Sequence, residues 1–235
     1  PLPFGAFVDA VFIGEIEGIA DELIPTLAQM KTSSKRRTEM LEYLQSLPYV
    51  WTAAKGGDVT RVHWQGFGAG ENGRSLVSAG SSFPVPNIKT VQDHGVVEIM
   101  RGCPNGCRFC HAGIFYRPYR QKDAQLILEE VEDQVFNFGY REVTLSSLSS
   151  GDYPGLPGLV KGLTSRFEPM KVSFSMPSLR INSLTLDLMT ELSTVRKSGL
   201  TFAVETPLEQ GQRGLNKLAT LEKTLELLEE ARNRG

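Results

Sequence analysis

Residues 95–113 read "GVVEIMRGCPNGCRFCHAG" and decide the fold. "GVVEIMRG" (95–102) is strand-like, and a glycine-punctuated loop carrying cysteines leaves its carboxyl end. Reading on, "DAQLILEEVEDQVFNFG" (123–139) has helical spacing and stops at Gly139. "EVTLSSLSSGD" (142–152) is a strand running into a loop, and "LPGLVKGLTSRFE" (156–168) a short helix. "KVSFSMPSLR" (171–180) is a strand and "TLDLMTELSTVRKSG" (185–199) a helix. "LTFAVET" (200–206) is a strand, and residues 220–235 form a helix capped by Thr220. Four β/α units in succession predict an α/β fold with a parallel sheet and helices outside. Such a series closes into a TIM-like barrel or stays open as a doubly wound sheet. In both, the site lies at the carboxyl ends of the strands. Each polar cluster falls there: the cysteines after the first strand, "SSGD" after the second, "SLR" after the third, "ET" after the fourth.

The segment before this series has a different texture. "FVDAVFIG" (7–14) is a buried-strand signal, and "EIEGIADELIPTLAQM" (15–30) follows with apolar residues at helical spacing. "KTSSKRR" (31–37) is a basic, solvated connection. "RTEMLEYLQSLPYVWTAA" (37–54) is a second helical pattern stopped at Pro48. Residues 55–92 are rich in Gly, Ser, Asn and Pro and read as a linker or hairpin region, with "FPVPN" (83–87) extended. "GFGAGENG" (66–73) is no dinucleotide fingerprint, because neither a strand before it nor a helix opening on it is written here. The expected division is a small α/β segment over 1–54, a connection over 55–92 and a β/α core over 93–235. The chain opens on Pro1 and closes on a helix and a glycine, as a piece of a longer protein would.

Composition narrows the partners. With 25 basic and 27 acidic residues, a net charge of −2 and 40% hydrophobic residues, there is no strong nucleic-acid signal. No apolar run approaches a membrane span. Three cysteines close together are no secreted disulfide framework and predict reduced thiols in a cytoplasmic protein.

Cys103, Cys107 and Cys110 follow a C-x3-C-x2-C spacing, with Gly102, Pro104 and Gly106 to turn the backbone. Three thiolates so placed are expected to converge, and soft thiolates choose zinc or an iron–sulfur cluster. With three protein ligands rather than four, a cluster iron keeps an open position. Other readings of the same residues stand beside this one. His111 would complete a Cys3His zinc site, although adjacent ligands rarely face one metal, and "CRFCH" matches a haem-attachment signature. His111 otherwise has a surface or supporting role, and His63 and His94 a structural one.

"CPNGCRFC", with Phe109 as its aromatic, resembles the cluster motif of radical S-adenosylmethionine enzymes. "VEIMRGCPNGCRFCHAGIFYRPYR", "LSSLSSGDY", "SMPSLRINS" and "RKSGLTFAVET" are similar to successive blocks of a radical SAM family with an N-terminal cobalamin-binding-like domain. "VDAVFIGEIEG" resembles the end of that preceding domain. The resemblance implies a partial (β/α) TIM-like barrel of radical SAM type, preceded by a remnant of a smaller α/β domain. It implies a 4Fe–4S cluster on Cys103, Cys107 and Cys110 and S-adenosylmethionine on the open iron. Electron transfer then gives a 5′-deoxyadenosyl radical that takes hydrogen from a substrate. Phe109 is expected beside the adenine, and Ser149, Ser150, Gly151 and Asp152 at the methionine amino group. Ser175, Arg180 and Glu205 are expected at the carboxylate and ribose. A small electron donor such as flavodoxin or ferredoxin is the expected partner, and cobalamin a cofactor only of the full-length protein. Against these roles stand simpler ones: Asp152 capping a turn, Arg180 and Glu205 forming an ion pair, and "YRPYR" (116–120) forming a packed, solvated edge. The alternative function is a non-catalytic binding module stabilised by zinc or an iron–sulfur cluster.

Overall fold

The computed structural model describes residues 3, 5–68, 87–88, 90–183, 186–192, 195 and 202–234. The chain divides into two compact units, 1–67 and 68–235. Within the first, β1 (Val11–Phe12) pairs antiparallel with β2 (Val50–Trp51). Helices α1 (Ala20–Thr32) and α2 (Arg37–Ser46) lie between them in sequence. Val50 and Trp51 are buried, and the Phe12 and Tyr49 rings meet edge to face at 5.4 Å. Residues 61–64 belong to this unit rather than to a free connection. Val62 bridges Gly14, with Val62 N donating to Ile13 O at 3.1 Å and Glu15 N to Val62 O at 3.0 Å. Gly14 has φ +129°, and a Cβ there would lie 2.1 Å from Val62 O, so only glycine permits this approach. The buried Glu15 carboxylate accepts from Trp64 N at 2.9 Å and Arg61 at 3.2 Å.

The second unit holds the β/α series. β3 (Gly95–Glu98), β6 (Glu142–Ser146) and β7 (Ser173–Ser175) form a parallel sheet in the order β3-β6-β7. The register pairs Val96 with Thr144 and Thr144 with Ser175. Between β3 and β6 come β4 (Met100–Arg101), α3 (His111–Phe115), β5 (Arg120–Gln121) and α4 (Ala124–Glu132). A π-helical turn, Asp133–Asn137, extends α4. Then follow α5 (Leu156–Phe167), α6 (Leu186–Leu192), α7 (Glu209–Leu215) and α8 (Leu221–Arg234).

Alternation along the strands sorts the two faces of the sheet. Val97, Ile99, Val143, Leu145, Val172 and Phe174 are buried in one core with Ile127 and Val131 of α4 and Val160, Leu163 and Phe167 of α5. Each such side chain stabilises the fold by roughly 1.5–3 kcal/mol on burial. The intervening positions, Glu98, Thr144, Ser146 and Ser175, are polar and share the opposite face by register. Parallel strands covered on both faces read as continuous apolar runs. Here the hydroxyl-lined face is the inner wall of a partial, unclosed TIM-like barrel.

Three of the four expected strands form ladders. Of the fourth, 200–206, residues 200 and 201 lie outside the described residues, and 202–206 carries no strand. Thr206 N donates to Val204 O at 2.9 Å across Glu205, whose φ is +70°. That γ-turn ends any extended run. The expected "FPVPN" segment lies outside the described residues except Asn87, as does most of 193–199. Among the described residues no helix is long and apolar enough to cross a membrane.

Candidate active site

The cysteine loop is tied at its base. β4 and β5 pair antiparallel, Met100 with Gln121 and Arg101 with Arg120, so residues 102–119 form one closed excursion from the strand end. This clasp and α3 were not expected from the sequence, since a two-residue ladder has no periodicity to read. Gly102 starts the excursion at φ +76°, where a Cβ would stand 2.7 Å from Tyr116 O and 3.0 Å from Pro118 O. Both obstacles are backbone, so no side chain is admitted there.

All three cysteines are unbridged and half-buried. Cys110 Sγ accepts from Gly113 N at 3.3 Å, capping α3, and Cys103 Sγ accepts from Asn105 Nδ2 at 3.5 Å. Among the described residues no three His, Cys, Asp or Glu side chains stand close enough to share a metal ion. A tetrahedral zinc needs sulfurs only about 3.8 Å apart, given Zn–S bonds of about 2.3 Å. A cube-shaped 4Fe–4S cluster takes each thiolate on a different iron, and a loop of three unbridged thiols supplies that donor set. The His111 ring is stacked on Phe115 at 5.5 Å.

Beside this loop stands the turn after β6. Ser150 Oγ is fully buried and donates to Leu145 O at 3.1 Å, so its hydroxyl holds the strand end. Ser149, also buried, donates to Asp152 Oδ2 at 2.6 Å. Asn105 Nδ2 reaches the same Oδ2 at 2.5 Å and Ser149 Oγ at 3.2 Å. The cysteine loop and the "SSGD" turn are therefore joined directly through Asn105, a residue absent from the sequence-based site. Burial raises the Tyr119 phenol above its ordinary range, and the neighbouring charges of Asp152 and Cys103 add to this. Tyr119 Oη also reaches Met100 Sδ at 3.2 Å.

On the third strand, Ser175 Oγ and Thr144 Oγ1 are 2.9 Å apart on the inner face. Half-buried Arg180 and Lys217 line one cavity of about 220 Å3 with Leu179, Ile181 and Ala219. In place of the alternative Arg180–Glu205 ion pair, Glu205 pairs with Lys217 at 2.6 Å. Lys217 Nζ also lies 5.9 Å from the centroid of Phe109, whose ring is half-exposed. Its meaning was hidden in the sequence because Glu205 and Phe109 reach it from different segments. From the far side, α7 grips the loop. Arg108 N donates to Leu215 O at 3.0 Å, the Arg108 guanidinium to Gly214 O at 2.6 Å, and Asn216 Nδ2 to Gly106 O at 3.0 Å.

The family model described as the radical SAM superfamily matches residues 97–235. An uncharacterised protein of Methanocaldococcus jannaschii is 34% identical over 122 residues, 52% of this chain and 26% of that protein. The tRNA-2-methylthio-N(6)-dimethylallyladenosine synthase of Phocaeicola vulgatus is 28% identical over 141 residues, 56% of this chain and 30% of that enzyme. Among solved structures, the radical S-adenosylmethionine methyltransferase TsrM from Kitasatospora setae, with cobalamin and a 4Fe–4S cluster bound, shares the fold. Its TM-score is 0.52 at 14% identity, over 60% of this chain and 27% of that one. The chain spans about a quarter to a third of the length of these curated relatives.

Proposed function

This chain belongs to the radical SAM superfamily, and we propose that its strand-end face is the cofactor-binding core of an enzyme that abstracts hydrogen from its substrate. The superfamily's cofactors are a 4Fe–4S cluster and S-adenosylmethionine. Cys103, Cys107 and Cys110 would hold the cluster, which when bound would supply one electron to break the sulfonium C–S bond, giving methionine and the 5′-deoxyadenosyl radical.

One observation carries the reading. The loop bearing the three thiols and the turn bearing Asp152 leave neighbouring parallel strands on the same rim and are hydrogen-bonded to each other. In this proposal Asp152 accepts a hydrogen bond from the amino group of S-adenosylmethionine, as a carboxylate suits an N–H donor. Arg180 grips its carboxylate, since the guanidinium fork matches that geometry. Glu205 accepts from the ribose hydroxyls, and the exposed half of Phe109 covers the adenine. Ser150 and Ser175 keep the strand ends in place through Leu145 O and Thr144. The electron donor in this reading is a flavodoxin or ferredoxin. TsrM, solved with cobalamin, shares the fold, and cobalamin is proposed only for the full-length protein.

The test is anaerobic reconstitution of the full-length protein with iron and sulfide, followed by EPR of the reduced form. A cluster signal that changes shape on adding S-adenosylmethionine is the expected result. Colourless protein holding one zinc, or a cluster indifferent to S-adenosylmethionine, would overturn the proposal and favour the binding-module alternative.

A further inference from the structure

Asn105 sits between the first two cysteines, yet its side chain is directed at the neighbouring strand end. Nδ2 is 2.5 Å from Asp152 Oδ2, 3.2 Å from Ser149 Oγ and 3.5 Å from Cys103 Sγ. The Asp152 contact fixes the amide orientation, because a carboxylate only accepts and the amide nitrogen only donates. Ser149 gives its single proton to Oδ2 at 2.6 Å and keeps a lone pair for Asn105. The three side chains thus close a small ring of hydrogen bonds, with buried Ser149 as its anchor.

The ring is one-sided. Both donors to Asp152 fall on Oδ2, and no described residue donates to Oδ1. A carboxylate held by two donors on one oxygen has its plane fixed and its other oxygen free to accept. We infer that Asn105 is a positioning residue: it aims Oδ1 of Asp152 at the amino N–H of S-adenosylmethionine and ties that carboxylate to the cysteine loop at Cys103. This rests on the assignment of Asp152 to the amino group in the proposed function. An aspartate at 105 would meet Asp152 with like charge, and an alanine would leave one donor where two now hold the plane. The N–H···S contact adds a second consequence. Hydrogen bonds to ligating sulfurs are among the factors that set cluster potentials, and removing a donor lowers the potential.

The experiment uses full-length protein reconstituted anaerobically, comparing wild type with N105A, D152N and the double variant. S-adenosylmethionine is titrated by its EPR line-shape change, alongside iron content, cluster midpoint potential and Tm. N105A is expected to keep about four irons, as a 4Fe–4S cluster requires. It should bind S-adenosylmethionine roughly 10–100-fold more weakly, the usual cost of losing an orienting partner. Its midpoint potential should fall. D152N should lose a similar factor, and the double variant no more than D152N alone, because Asn105 acts through Asp152. If N105A does not retain iron, N105D is read in its place, with the same expected loss. Affinity within twofold of wild type in the substituted protein, or losses that add in full in the double variant, would overturn the inference. A wild-type cluster that ignores S-adenosylmethionine would instead sink the proposed function itself, so the two failures are distinguishable.

Discussion

Lys217 Nζ lies 2.6 Å from Glu205 Oε1 and 5.9 Å from the centre of the Phe109 ring, so one ammonium ties the turn at Glu205 to the aromatic residue of the cysteine loop. Glu205 is held at φ +70° by the turn around it, so its backbone is already committed and its carboxylate is what Lys217 orients. The pair keeps some solvent contact, at 17% and 31% side-chain exposure. Lys217→Met should therefore cost less than about 1 kcal/mol of stability. It should move Tm by no more than about 2–4 °C while weakening S-adenosylmethionine binding several-fold. Calorimetry and an EPR titration on the same preparation separate these. A loss of stability with unchanged affinity would make the pair purely structural.

Arg108 offers a second handle on the loop. Its guanidinium covers the carbonyl end of α7, at Gly214 O and Arg213 O, while its own N–H takes Leu215 O. Cations at a helix C-terminus contribute about 0.3–1 kcal/mol when exposed. Arg108→Ala should thus barely alter global stability but loosen both segments together. Hydrogen exchange should show faster exchange over 103–110 and over 209–217 in parallel. Faster exchange in only one of them would mean the grip is not shared.

Much of this arrangement was legible in the sequence, and the exceptions have physical reasons. The runs over 95–102, 142–152 and 171–180 each formed strands because alternating apolar residues had a helix layer to bury against. Placing the cysteines and "SSGD" at strand ends followed from that periodicity alone. Of the fourth expected strand, the described residues 202–206 form no strand: the chain turns at Glu205, whose contact with Lys217 no local pattern announces. Asn105 was invisible for the same reason: its partner Asp152 is 47 residues away. Residues 61–64 read as connection because a single parallel bridge to Gly14 leaves no periodic signature.

A buried ion pair joins α4 to the segment after β5. Lys122 Nζ meets both Glu130 carboxylate oxygens at 2.7 and 2.6 Å, with side chains 11% and 6% exposed. Removing the Glu130 carboxylate takes this partner from the buried Lys122 ammonium, which costs up to about 3–5 kcal/mol. Glu130→Ala should lose that much in urea unfolding. Replacing both partners with apolar residues of similar volume, Lys122→Met with Glu130→Leu, should recover most of it. A double variant as unstable as Glu130→Ala would show that Lys122 serves another partner through its ammonium.

Gly151 joins two of the proposed cofactor segments by close contact. A Cβ there would lie 2.0 Å from Ser183 Oγ and 2.8 Å from Ser183 Cβ. The hydroxyl can rotate aside, but the Cβ is fixed by the backbone of the 3-10 turn Ile181–Ser183, so the two chains must part. Overpacking of this kind costs about 1–3 kcal/mol. Gly151→Ala should be destabilised by that amount and should bind S-adenosylmethionine more weakly, because the turn bearing Asp152 moves away from Arg180. Ser183→Gly removes the obstructing Cβ, so the double variant should regain both stability and affinity. If stability returns and affinity does not, the methyl group itself blocks the cofactor, and Gly151 lines the site directly. If neither returns, contact with Ser183 is not what requires glycine at this position.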